Sequence, residues 1–242
     1  VSEALMSLAG KRVVVIGGTA GIGFAIAMLA REIGADVVVA SSHQANIDAA
    51  MARLDGVTGS AMDLRDESSI SRFFDTLGAF DHLAITAGDW DIPIFAPTRD
   101  INLTAARDSF TVRFWGALAA VQHACRVIDP TGSITLTSGM LAYRPIKGAP
   151  MAIAISGAIV HLVHGLAVDL APLRINVVCP GITLTEQVKQ MMPPERLQAS
   201  VAPLLLPRGA TPAEAATAYI YLMLNGYATG QVLPVDGGGS LA

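Results

Sequence analysis

Cysteine is nearly missing from this 242-residue sequence: Cys125 and Cys179 are the only two, too few for a disulfide framework and not at metal-binding spacing. Both read as buried, reduced thiols. Charge is sparse as well, at 15% of residues, and acidic side chains outnumber basic ones by 20 to 16. That balance leaves no basic footprint for nucleic acid. No apolar run reaches the roughly 20 residues needed to span a bilayer without Gly, His or charge interrupting it, and no basic-then-apolar stretch marks a secretory signal. These absences set the expectation of a cytoplasmic protein with no membrane partner. What is abundant is apolar. A hydrophobic content of 52% implies a well-covered core plus apolar surface buried between subunits, so oligomerisation is expected. The length fits one α/β domain over residues 1–242, with no linker and no shift of composition.

The stretch VVVIGGTAGIG (13–23) organises the chain. Its β-branched run reads as a strand buried on both faces, and it stops at Gly17, Gly18 and Thr19. A helix then begins near Gly21 and carries Ile22, Ala25, Ile26 and Leu29 on one face. Strand, glycine turn and helix aim backbone N–H groups and the positive end of a helix dipole at one spot, which suits a pyrophosphate. The glycines at 17, 21 and 23 follow GxxxGxG spacing.

Further strands are expected at 37–40, 58–62, 82–86, 133–137, 175–179 and 231–235. Helices are expected between them at 46–54, 67–77, 105–128, 151–171 and 212–224. Alternation of this kind makes right-handed βαβ units and a doubly wound parallel sheet, with ligands at the strands' C-terminal ends. The segment 183–207, with four prolines and the pair Met191-Met192, reads as an irregular apolar flap over the substrate, at about 184–207.

The order of motifs resembles the short-chain dehydrogenase/reductase family over essentially the whole chain. The matching pieces are Gly17, Gly21, Ile22 and Gly23; the pair Asp63-Leu64 after the third strand; and Ala87-Gly88 closing the turn after the fourth. Pro180-Gly181 with Thr185, and Thr229-Gly230-Gln231 through Val235-Asp236-Gly237-Gly238, complete the set. The resemblance implies a Rossmann-like fold binding NAD(H) or NADP(H). It assigns Gly17, Thr19, Gly21, Ile22 and Gly23 to the pyrophosphate side, with Ala87 and Gly88 alongside. Asp63 and Leu64 are assigned to adenine, Ile182 to Thr185 to the carboxamide, and Pro180 and Gly181 to the cofactor site as well. From the residues alone, Asp63 also reads as a helix N-cap ahead of Glu67. At the end of the second strand, where a carboxylate would hold a ribose 2′-OH and repel a 2′-phosphate, Ser41 and Ser42 stand instead. NADP(H) is therefore favoured over NAD(H).

The family's chemistry uses an Asn, a Ser, and a Tyr and Lys spaced YxxxK on one helix. Residues i and i+4 share a helix face, so the Lys charge lowers the Tyr pKa and lets the phenol pass a proton. Counted back from Asp169-Leu170 and Pro180-Gly181, the Tyr position falls on Ala152 and the Lys position on Ser156. The Ser position falls on Gly139 and the Asn position on Arg113. All four depart. Tyr143-Arg144-Pro145-Ile146-Lys147 spells YxxxK too early in the chain, and Pro145 forbids a regular helix through it. The candidate catalytic residues are thus Ser138, Arg113 and Tyr143. Arg113 is either a replacement for the missing Lys charge or half of a structural ion pair, and a partner for it is expected. His161 and His164 lie one turn apart with no third ligand nearby, so they read as core or interface residues and no metal site is expected. Asp89 and Trp90 stand where a substrate would enter.

The expected function is a nicotinamide-dependent oxidoreductase with a non-standard active site, acting on a small apolar carbonyl or alkene. Two other classes share these features. One is a dinucleotide-binding sensor or structural protein without turnover; the other is a lyase, isomerase or cyclase using Arg113 as an electrophilic stabiliser.

Overall fold

The computed structural model describes residues 6–88 and 95–242. Strand β1 (Arg12–Ile16) shows how the core is laid out. Val14 and Ile16 face one apolar layer while Val13 and Val15 face the other, and all four are buried. A strand with no polar face must be covered on both sides. Around it lie β2 (Asp36–Ser41), β3 (Val57–Ala61), β4 (Phe80–Ile85), β5 (Ile128–Thr137), β6 (Arg174–Pro180) and β7 (Val232–Val235). They form one sheet in the order β3-β2-β1-β4-β5-β6-β7, every pair parallel. The chain starts in the middle, winds to one edge, and returns to build the other. This is the doubly wound Rossmann-like order.

Helices cover both faces. On one side α1 (Gly21–Glu32) and α9 (Pro212–Leu224) bury Ala25, Ile26, Ala216, Tyr219 and Leu222. On the other, α3 (Glu67–Leu77), α5 (Ala117–Ala124) and α6 (Pro150–Asp169) bury Phe73, Phe74, Val121, Ile155 and Ile159. The remaining helix before them, α2 (Gln44–Met51), follows β2 and buries Ile47 and Ala50. By length and composition alone α6 is apolar enough to cross a membrane, but Gly157, His161, His164 and Gly165 interrupt it. Its inner face lies on the sheet, while Val168 and both histidines on its outer face are exposed.

Three expectations need correction. The helix expected over 105–128 is not continuous: α4 (Leu103–Phe110) and α5 are joined by a π turn at Thr111–Gly116. An inserted residue widens one turn there, and no apolar period betrays it. Second, β5 begins at Ile128 rather than 133, because Ile128 pairs with Phe80 before a register shift. Third, the flap is helical, with α7 (Glu186–Met191) and α8 (Pro194–Val201). Thr185 caps α7 by accepting the Val188 N–H at 3.2 Å. Pro194 opens α8 at the one helical position where a missing N–H costs nothing, so the prolines initiate structure there.

His82 on β4 is buried, with Nδ1 2.9 Å from the Ser133 hydroxyl on β5. Burial, and secondarily the Arg174 charge, push its pKa down from the usual 6.5 to about 4. The unfolded chain then takes up the proton first, so the stability gained by keeping His82 neutral is complete above pH 6.5 and drains away as pH falls toward 4. Urea unfolding at about pH 7 and about pH 4.5 should differ by roughly 2 kcal/mol on this account, and His82→Gln should flatten the difference. Equal acid sensitivity in the two proteins would contradict it.

Candidate functional site

The glycine loop sits where β1 ends. Gly17 has φ +82°, which a side chain resists, and its N–H donates to the Ala40 carbonyl at 2.8 Å. A Cβ on Gly23 would strike the Gly17 carbonyl, and one on Gly17 would lie 2.7 Å from the Ala87 nitrogen. The loop is therefore pressed between α1 and the end of β4, with no space for side chains. Thr86, which the sequence reading passed over, fastens it by donating its hydroxyl to the Ile16 carbonyl at 3.1 Å and the Gly17 carbonyl at 3.3 Å. A lone Thr at a strand end carries no pattern that would have singled it out. The N-terminus of α1 has no side-chain cap and no acidic residue in its first turn. Thr19 and Ile22 are half-buried on the loop and the first turn. An uncapped dipole end behind a backbone-only cradle is what a pyrophosphate requires, so the residues present fit a dinucleotide.

The same edge gathers the other expected contacts. Ser41 is half-buried at the end of β2, and exposed Ser42 places its Oγ 2.8 Å from His43 Nδ1. Asp63 does not cap α3, contrary to the helix-cap reading. Asp66 does, accepting the Ser68 N–H at 2.9 Å, which together with the Ser68 hydroxyl lowers its pKa. Asp63 instead shapes the turn by accepting the Arg65 N–H at 2.9 Å. Leu64 is buried, and its carbonyl lies against Gly116 at the end of the π turn, where a Cβ would collide with it. Gly181, after Pro180 at the end of β6, donates its N–H to the Val235 carbonyl at 2.9 Å. The Ile182 carbonyl accepts from Ala210, and the Thr185 methyl comes within 3.0 Å of where a Gly21 Cβ would stand. The segment after β6 therefore touches the glycine loop.

The π turn at Thr111–Gly116 carries Arg113. It turns Arg113 inward so that its guanidinium covers Gly88: both Cζ and Nη2 are 2.7 Å from the position of a Gly88 Cβ. One widened turn thus sets Arg113 beside the Ala87-Gly88 strand end and Gly116 against Leu64. Small residues stand at Gly139, Ala152 and Ser156. A Gly139 Cβ would lie 3.7 Å from Ser156 Oγ; the Ser156 hydroxyl donates to the Ala152 carbonyl at 2.8 Å, and the Ser138 hydroxyl to the Ser156 carbonyl at 2.9 Å. Both hydroxyl protons are committed to backbone carbonyls. Beside Ser138 the Cys179 thiol is pushed up to about 11, chiefly by burial. Tyr143 follows a 3-10 turn at Met140–Ala142 and is exposed, as is Lys147, so the pair does not share a helix face. Partial burial raises the Tyr143 pKa further. His161 and His164 stack edge to face 5.7 Å apart on the open side of α6 rather than in the core. Cys179 is buried and Cys125 half-buried, both free thiols. Among the described residues no cluster of three or more His, Cys, Asp or Glu is placed to hold a metal. Asp89 and Trp90 lie outside the described residues.

A seven-stranded doubly wound sheet with this cradle at its switch point defines a dinucleotide-binding protein of the Rossmann-like class. Comparison with known proteins narrows the class. A family model described as "Enoyl-(Acyl carrier protein) reductase" matches residues 17–240. The short-chain dehydrogenase/reductase ucsE of an Acremonium species is 33% identical, with 96% of each chain covered. The solved structure of the MalC reductase/Diels-Alderase from Malbranchea aurantiaca superposes with a TM-score of 0.90 at 30% identity, covering 100% of both chains. A small-chain dehydrogenase in complex with NADPH superposes at 0.81 with 33% identity, covering 96% of this chain and 99% of the other. The chain belongs to the short-chain dehydrogenase/reductase family.

Proposed function

We propose that this protein is an NADPH-dependent reductase of an apolar carbonyl or alkene, in which Arg113 supplies the electrostatic stabilisation that the family draws from a Tyr–Lys pair. The observation that carries this reading is the Arg113 guanidinium lying on Gly88. A reduced nicotinamide bound at the site would supply hydride. The chain's own work is then to orient the acceptor, exclude water and stabilise the negative charge that develops on it. A fixed guanidinium does the last of these without titrating near neutrality. The Ser138 and Ser156 hydroxyls are both bonded to backbone carbonyls, so the proton that completes reduction comes from water. Exposed Tyr143 serves as rim rather than acid. Met191, Leu205 and Leu206 of the flap are exposed apolar groups, which suits an apolar acceptor.

Ser41 and Ser42 at the end of β2, and the NADPH seen with one solved relative, favour NADP(H) over NAD(H). The exposed outer residues Trp115 and Val168 support pairing of subunits through the helices around α5 and α6, as a homodimer or homotetramer. Free thiols at Cys125 and Cys179 accord with a cytoplasmic setting. Parallel fluorescence titrations with NADPH and NADH test the cofactor assignment: NADPH should bind at least about tenfold more tightly, a difference of about 1.4 kcal/mol. Equal affinities would remove the role given to Ser41 and Ser42, and binding of neither would sink the reductase reading. The likeness to a reductase/Diels-Alderase favours one second reading, cyclisation in the same pocket with Arg113 as electrophile. Product formed without stoichiometric NADPH oxidation would identify it.

A further inference from the structure

Three segments distant in sequence meet just beyond the end of β5. The first follows β5, where Met140–Ala142 turns back and carries Tyr143 and Arg144. The second is the end of the flap, Leu204 to Leu206. The third follows β7, from Asp236 to Ser240. Arg144 Nη1 donates to the Gly239 carbonyl at 2.9 Å across 95 residues of sequence. Met140 Cε lies 2.6 Å, and Leu204 Cδ2 3.0 Å, from where a Gly239 Cβ would be, so both side chains pack closely on Gly239. Leu206 donates its N–H to the Gly237 carbonyl at 2.9 Å. The Asp236 carboxylate holds the turn from within, accepting the Gly238 N–H at 3.0 Å and the Ser240 N–H at 2.8 Å. On its other side Asp236 packs on the carboxamide segment, its Cα 2.7 Å from the position of a Gly181 Cβ.

We infer that Arg144 is a positioning residue: its bond to Gly239 seats residues 236–240 as a wall that joins the carboxamide segment to the rim at Tyr143 and closes the acceptor cleft over the nicotinamide. This rests on the reductase reading. Gly237 and Gly238 both have positive φ, +65° and +78°, so the turn has a shape of its own, and its placement against the cleft is what Arg144 adds. Arg144 touches no reacting atom in this scheme. Its loss should open the cleft without weakening the dinucleotide cradle, which is built from Gly17, Gly21, Gly23 and Thr86.

The test uses the full chain saturated with NADPH and acrylamide quenching of the bound nicotinamide's fluorescence, acrylamide being neutral so that a lost charge does not alter its approach. Arg144→Met should raise the quenching slope about twofold while the NADPH Kd stays within about twofold, and Arg144→Lys, which keeps a donor, should restore the slope. A merely structural role would move Kd and slope together, or neither. An unchanged slope in Arg144→Met, or no rescue by lysine, overturns the inference and leaves the reductase reading standing. Absence of NADPH binding to the wild-type protein overturns both. Should Arg144→Met fail to fold, Met140→Ala loosens the same seat on Gly239 and must raise the slope in the same direction; an unchanged slope there is equally fatal.

Discussion

Arg113→Met is expected to slow NADPH oxidation by the acceptor at least about 100-fold while changing the NADPH Kd by no more than about threefold, the pattern of a group that acts on the developing charge. Methionine is long and apolar enough to keep covering Gly88, so the variant removes charge more than packing. Arg113→Lys should recover only part of the rate. A lysine places a point charge on a flexible stem, whereas the guanidinium is a rigid plane held by the π turn at Thr111–Gly116. Single-turnover rates at saturating NADPH make the measurement. A rate within about threefold of wild type would show that Arg113 is a structural cation and leave the hydride acceptor without electrostatic help from it.

Arg174→Met should cost about 3 to 5 kcal/mol of stability, and lower the melting temperature by about 10 °C, without touching the site. Arg174 opens β6 and is 6% exposed. Its Nη1 donates to the carbonyls of Leu222 at 2.6 Å, Asn225 at 2.9 Å and Ala228 at 3.3 Å, and Nη2 donates to that of Met223 at 3.0 Å. These include the last carbonyls of α9 (Pro212–Leu224), which have no partner within the helix and carry its negative dipole end. Burial lowers the Arg174 pKa, yet the guanidinium stays charged at neutral pH because its ordinary value is so high. Methionine would leave those carbonyls buried with nothing to accept from. Urea unfolding checks this, and a loss below about 1 kcal/mol would mean that the α9 terminus finds water or other donors.

The elements written most plainly in the sequence are those with a local cause. Helix α3 begins and ends where Asp66-Glu67 and Leu77-Gly78 place it, and α9 starts at the Thr211-Pro212 boundary, where Thr211 and Glu214 form a capping box. Strand β1 is legible because four successive β-branched residues allow no solvated face. The glycine loop is legible because its spacing and its flanking elements recur together. Less plain is the continuity of 105–128, since a π turn inserts a residue without changing composition. The flap misleads because proline serves equally as a breaker and as the first residue of a helix.

For this protein the sequence by itself determined the doubly wound parallel sheet and the strand, glycine turn and helix unit at Gly17, Gly21 and Gly23. Periodicity and motif spacing are properties of neighbours along the chain, and those features need nothing more. Only the tertiary structure decided that Arg113 lies on Gly88, that Ser138 and Ser156 spend their hydroxyl protons on α6 carbonyls, that Thr86 fastens the glycine loop, and that Arg144 reaches Gly239. Each of these joins groups brought together by sheet order and helix packing, and their distances are fixed by how the layers close.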